Sequence, residues 1–184
     1  MAGKVKTRLA KNIGDSEAFR IYIELLNHTY SQAKNLLCDK FLFLSEKPDS
    51  NLFDKTFNQH VQNGNDLGEK MKNAFNEIFN KGYQRVLIIG TDCPGLTKEI
   101  INIAFEKLLK CDFILGPSFD GGYYLIGMKE PNYFVFEKMI WSNEHLTSMT
   151  IEKIKAKNKK FRLLKKLNDI DEEKDLKFCQ YLSS

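Results

Sequence analysis

The sequence lacks the patterns that would assign it to several large classes. Its four cysteines (Cys38, Cys93, Cys111, Cys179) include no CxxC pair, and its three histidines (His28, His60, His145) are scattered. No zinc template fits that spacing. No apolar run approaches the ~18 residues that a membrane span needs, so none is expected. No charged-then-apolar leader opens the chain, and with no such signal we expect reduced thiols in a cytoplasm. Charge of one sign is also scarce. Lysine and arginine total 28 against 24 acids, a net +4, and the halves up to and after Asp92 carry +2 each. That balance excludes a basic tail for nucleic acid. There is no internal repeat and no low-complexity linker.

What remains is ordinary globular material. The 184 residues are 42% hydrophobic and 28% charged, which excludes disorder, collagen and a coiled coil for the whole. The length fits a single domain, residues 1–184, able to bury about 70% of the surface its unfolded form exposes.

Periodicity predicts alternating helices and strands. Residues 3–8 read as a short basic loop. Gly14-Asp15 marks a helix entry with Asp15 as N-cap, and the helix runs from Ala18 to Leu37. Phe41–Leu44 is a buried-type strand closed by Pro48. After the turn Asn63–Asp66, Leu67, Met71, Ala74, Phe75, Ile78 and Phe79 form one helical stripe. Val86–Gly90 is the strongest strand, continuously apolar as a strand buried on both faces should be. A helix capped by Thr97 follows over Ile100–Leu109. Next come a strand at Phe113–Leu115, a loop at Pro117–Gly122 and a strand at Tyr123–Ile126. A helix over Glu144–Lys157, a strand at Phe161–Leu164 and a helix over Glu172–Leu182 close the chain. This alternation predicts an α/β fold with a largely parallel sheet.

Several residues on this framework could carry chemistry. Asp92 follows the best strand, at the sheet edge where open α/β folds place ligands. Its carboxylate suits a divalent cation carrying phosphates, or a simple turn. Gly3, Lys4, Lys6 and Arg8 could cradle a polyphosphate, although no Walker A spacing is present. Asp120-Gly121-Gly122 is a hairpin signal that also permits close backbone approach, and Tyr123 and Tyr124 must face opposite ways. Asp169 and Asp171 lie on one side of an extended segment, as a helix cap or as a metal ligand. Eight basic residues between Lys153 and Lys166 lack interleaved stacking aromatics, so a solvated face is the better reading than a nucleic-acid patch.

Five motifs occur in order: Ala2-Gly3-Lys4-Val5-Lys6-Thr7-Arg8-Leu9, Asn65–Met71, Gly90–Leu96, Gly116–Gly127, and Asp169-Ile170-Asp171 with Asp175-Leu176. Together they resemble a bacterial family of glycosyltransferase A-type proteins, described as radical-SAM/selenodomain-associated or arsenosugar-biosynthesis glycosyltransferases. The chain is similar more distantly to molybdenum-cofactor and phospholactate guanylyltransferases, which share the nucleotide-diphospho-sugar transferase fold. The resemblance implies a three-layer αβα sandwich with a mainly parallel sheet. It implies Mg²⁺ or Mn²⁺ on Asp92 and Asp171, with Asp169 the weaker candidate. Gly3, Lys4, Lys6, Thr7 and Arg8 would form the phosphate loop. Asp66 and Gly68 would lie near the nucleotide, together with Asp92, and Asp120, Gly121, Gly122 and Tyr123 on the acceptor side. Lys6, Arg8 and Asp120 are the expected catalytic residues.

The expected reaction is sugar transfer from a nucleotide-sugar to a small-molecule acceptor. Nucleotidyl transfer from a nucleoside triphosphate, and nucleotide binding without turnover, are the alternatives. The family typically carries a strand and a proline-containing turn before Ala-Gly-Lys, so the sheet is expected to lack its first strand here. Oligomeric state is left open by the sequence.

Overall fold

The structure, a computed structural model, describes residues 5–46, 56–141 and 143–183, with side chains to residue 179. In chain order the elements are α1 (Thr7–Ile13), α2 (Asp15–Lys34), β1 (Lys40–Leu44), β2 (Phe57–Val61), α3 (Leu67–Asn80) and β3 (Val86–Ile89). They continue with α4 (Lys98–Leu108), β4 (Phe113–Pro117), β5 (Tyr123–Met128), a 3₁₀ turn (Tyr133–Phe136), α5 (Leu146–Ala156), β6 (Phe161–Leu163) and a C-terminal 3₁₀ segment (Glu173–Ser183).

The α/β architecture with a mainly parallel sheet is present. Four strands are ordered β3-β5-β4-β6. β5 runs against both its neighbours, while β4 and β6 are parallel. β3, β4 and β6 therefore share one direction and β5 alone is reversed. β1 and β2 form a separate parallel pair, in register from Lys40 opposite Phe57 to Leu44 opposite Val61. Among the described residues β1 pairs only with β2, and β3 only with β5.

Strand alternation sends side chains into two layers. Leu87, Ile89, Ile114 and Leu125 meet Ala33 and Leu36 of the α2 end and Ile101, Ala104 and Leu108 of α4. Val86, Ile88, Phe113, Leu115, Ile126 and Met128 meet Met71, Phe75 and Ile78 of α3 and Ile154 of α5. Phe41 and Phe43 of β1 pack on this second layer and Phe57 of β2 on the first, so the two sheets share both cores. A Cβ on Gly127 would lie 2.1 Å from Leu87 Cδ2, so that glycine lets β3 and β5 close over the first layer.

A third cluster joins the two ends of the chain. Leu9 of α1, Ala18, Ile21 and Leu25 of α2, and Ile170 are buried together, with Leu176 and Phe178 packed against them. This cluster explains why a helix begins at Thr7, inside the stretch expected to be loop. Leu9 is fully buried there, and burying such a side chain contributes roughly 1.5–3 kcal/mol.

Other expectations need correction. Gly14, at φ 85°, is the N-cap of α2, and Asp15 is its first residue. The closing helix is of 3₁₀ type. β2 and the 3₁₀ turn at Tyr133–Phe136 carried no sequence signal. Gly3, Lys4 and Pro48 lie outside the described residues. Thr97 caps α4 as expected, accepting from the Ile100 N–H at 3.4 Å. All four cysteines are free thiols. Among the described residues no helix is long and apolar enough to cross a membrane.

Candidate functional site

β3 delivers its C-terminal end into Gly90-Thr91-Asp92. The Gly90 N–H donates to the Tyr124 carbonyl at 2.9 Å, which extends the ladder one residue past the strand. A Cβ on Gly90 would stand 3.0 Å from Asp92 Oδ1, so the carboxylate folds back over the glycine. The Ile170 N–H donates to the Asp92 carbonyl at 2.9 Å. That bond lays Asp169-Ile170-Asp171 alongside Asp92. Ile170 points into the third core cluster, so its two aspartate neighbours face the other way. Asp175 Oδ2 accepts from the backbone N–H of Asp171 and of Glu172, at 3.1 and 2.8 Å, and fixes the end of this segment.

The N-terminal segment meets it from the opposite side. Lys6 has φ 49° and ψ 43°, a left-handed conformation that costs a non-glycine residue about 1 kcal/mol or more. Its side chain is only 9% exposed, and its ammonium lies 3.4 Å from Asp92 Oδ2 and 3.8 Å from Asp171 Oδ1. It donates at 2.5 Å to the Ile170 carbonyl. Arg8 Nη1 donates to Asp171 Oδ2 at 2.8 Å. Val5, Lys6, Thr7, Arg8, Tyr22, Thr91, Asp92 and Asp171 line an open cleft of ≈ 410 Å³.

Asp169, half-buried, lies beside this cleft. Its carboxyl is pushed up to about 7, first by burial and then by the charges of Asp120 and Asp92. Asp120 is thereby within electrostatic reach of the other acids. Its own Oδ1 accepts from the Gly122 N–H at 2.8 Å and from the Ser118 hydroxyl. Gly121 has φ 94°, and a Cβ there would fall 1.8 Å from the Glu144 carbonyl oxygen, so the loop requires glycine.

The structure therefore brings Lys6, Thr7, Arg8, Asp92 and Asp171 together, with Asp169 beside them and Asp120 within reach. Gly121 and Gly122 lie in the Asp120 loop, Gly3 and Lys4 fall outside the described residues, and Asp66, Gly68 and Tyr123 lie elsewhere. Asp66 caps α3, its Oδ1 accepting from Glu69 N–H at 2.8 Å. Gly68 is the seat of Trp141, since a Cβ would lie 2.2 Å from the indole. Neither lines the cleft. Tyr123 packs against the second core layer, and burial pushes its phenol up. Tyr22 and Thr91 were missed by the sequence reading. Thr91 was reachable as Asp92's neighbour, whereas nothing in α2's periodicity singles out Tyr22.

Among the described residues no group of three His, Cys, Asp or Glu side chains is arranged to hold a metal. A magnesium-type ion does not require one, because it is commonly bound by one or two carboxylates plus substrate phosphates and water. Asp92 and Asp171 fit that requirement. Both are 42% exposed and both face the Lys6 ammonium, while Asp171 also pairs with Arg8.

The chain is similar to several solved structures. A protein from Desulfovibrio desulfuricans G20, described as a candidate nucleotide-diphospho-sugar transferase, is 31% identical with a TM-score of 0.86, over 94% of this chain and 78% of that one. A homologue of Mycobacterium tuberculosis rv0371c from Mycobacterium sp. strain JC1 is 14% identical with a TM-score of 0.55, over 86% and 81% of the two chains. The bifunctional IspDF of Campylobacter jejuni is 14% identical with a TM-score of 0.57, over 85% of this chain and 45% of that one. These last two share the fold alone. No curated protein matches the chain significantly. Residues 28–143 match the family DUF2064, described as an uncharacterized protein conserved in bacteria, and the chain belongs to that family.

Proposed function

We propose that the protein is a metal-dependent glycosyltransferase moving a sugar from a nucleotide-sugar donor to a small-molecule acceptor in the cytoplasm. Within the fold, we place it with the radical-SAM/selenodomain-associated or arsenosugar-biosynthesis type that its motifs resemble. One observation carries the reading: Asp92 and Asp171, distant in sequence, converge on a single cationic atom in a cleft that Arg8 also lines. Likeness to a candidate nucleotide-diphospho-sugar transferase supports the donor class.

Asp92 and Asp171 would hold Mg²⁺ or Mn²⁺, which when bound supplies Lewis-acid stabilisation of the diphosphate oxygens. Lys6 and Arg8 add positive charge where the leaving diphosphate gains negative charge. Thr7, Gly3 and Lys4 complete the phosphate loop in this reading. Asp120, held by Ser118 and Gly122, orients the acceptor hydroxyl and takes its proton, with Gly121 and Gly122 on the acceptor side. Asp169 is the alternative proton acceptor, because its carboxyl titrates near neutrality.

The test is a panel of nucleotide sugars and nucleoside triphosphates, each with Mn²⁺ or EDTA. Release of a nucleoside diphosphate from one sugar donor, lowered by about 100-fold or more in Asp92→Ala, is the expected result. Pyrophosphate release from a triphosphate would replace sugar transfer with nucleotidyl transfer. Tight binding without turnover would leave a nucleotide-binding protein, and Mn²⁺-independence of any activity found would remove the metal from the scheme.

A further inference from the structure

The ammonium between Asp92 and Asp171 is an unusual occupant for a cation position. A lysine placed there permanently would sit at ~2.8 Å from each carboxylate, as charge-assisted hydrogen bonds do. Lys6 instead lies 3.4 and 3.8 Å from them and makes its one short bond, at 2.5 Å, to the neutral Ile170 carbonyl. Its side chain is 9% exposed, whereas both carboxylates are 42% exposed. The lysine thus approaches from the protein side and leaves the solvent side of Asp92 open, while Asp171 also accepts from the exposed Arg8 guanidinium at 2.8 Å. A divalent ion arriving there would face a positive charge within about 4 Å, a repulsion that lowers its affinity. A phosphate in the cleft would offer the ammonium a stronger partner than a carbonyl.

We propose that Lys6 is a tethered competitor for the divalent cation: in the free protein it holds the position shared by Asp92 and Asp171, and it yields that position when a phosphate group draws its ammonium into the cleft. This inference rests on the metal reading above and adds an order to it. Lys6 makes ion binding conditional on the nucleotide, so the protein does not carry a tightly bound ion with nothing to act upon. Lys6 is then a positioning residue for the acid pair as well as a phosphate contact.

The experiment measures Mn²⁺ binding directly, by the loss of the free-ion paramagnetic resonance signal, on the wild type, Lys6→Gln, Lys6→Arg and Asp92→Asn. Lys6→Gln is expected to bind Mn²⁺ about tenfold more tightly than wild type with no other ligand, while Lys6→Arg, which keeps the charge, stays near wild type. Inorganic pyrophosphate is the second probe, at matched free Mn²⁺. It should strengthen Mn²⁺ binding to the wild type by a larger factor than to Lys6→Gln, a coupling that a merely structural lysine would not alter. Equal or weaker Mn²⁺ binding by a folded Lys6→Gln, checked by circular dichroism, overturns the proposal. If Asp92→Asn leaves wild-type Mn²⁺ binding unchanged, the metal reading itself fails, and that outcome is distinct from failure of the competition.

Discussion

Asp169 is the residue whose charge state departs most from expectation in the site. Its carboxyl, ordinarily at 3.8, is pushed up to about 7. Between those values the folded protein holds a proton that the unfolded chain releases, so stability falls as pH rises through the window. In EDTA, Asp169→Asn should flatten the thermal midpoint between pH ~4 and ~7 and be the more stable protein above it; parallel profiles would show that Asp169 is not protonated in the fold. Asp66 makes a second residue-scale prediction. As a cap, it should lose about 1 kcal/mol on Asp66→Ala and recover most of it with Asp66→Ser. Equal urea midpoints for the two variants would argue against capping. At this scale the sequence was partly legible. The alternation of Asp169, Ile170 and Asp171 showed that both acids share a side. It did not show that Asp171 takes Arg8 while Asp169 is half-buried, because burial depends on what packs over a residue from far along the chain. Asp66, Gly68 and Tyr123 fit the motif pattern yet serve a cap, a tryptophan seat and a core.

At the scale of elements, legibility followed apolar patterning. β3 was plain because Val86-Leu87-Ile88-Ile89 is unbroken, and α3 because its stripe repeats at helical spacing. β2 was invisible because Asn58, Gln59 and His60 occupy its middle, and it forms only by pairing with β1. α1 was invisible because its short apolar face gains meaning only against Ile170. β3 also carries a test of the sheet's division. The Gly90 N–H bonds β5, and by the two-residue period the Ile88 N–H does so as well, while those of Leu87 and Ile89 point to the opposite edge. Hydrogen exchange should therefore be fast at Leu87 and Ile89 and slow at Ile88 and in β4. Uniform protection along β3 would mean that a partner covers that edge.

For the whole molecule, the α/β class followed from the strand–helix alternation and the three layers from the family resemblance, while the rule that ligands gather at strand C-termini pointed to Asp92. What could not be read was the clasp between the chain's two ends. Arg8 and Asp171 are 163 residues apart, and no local pattern announces a contact at that separation. The clasp predicts that removing residues 168–184 leaves the sheet folded but unpacks α1. Limited trypsin digestion should then cut at Arg8 and Lys11 much faster than in the full chain, with unchanged resistance at Arg162. Equal rates would show that α1 stands without Ile170.

The clasp also sets a timetable. A ribosome makes Lys6 well before Asp171, so a nascent chain holds the lysine long before the acid it meets in the fold. The sheet can close early, but the cleft is complete only once Asp171 has emerged. A chain interrupted before Asp169 would keep its sheet cores and lose both the Ile170 cluster and one wall of the cleft.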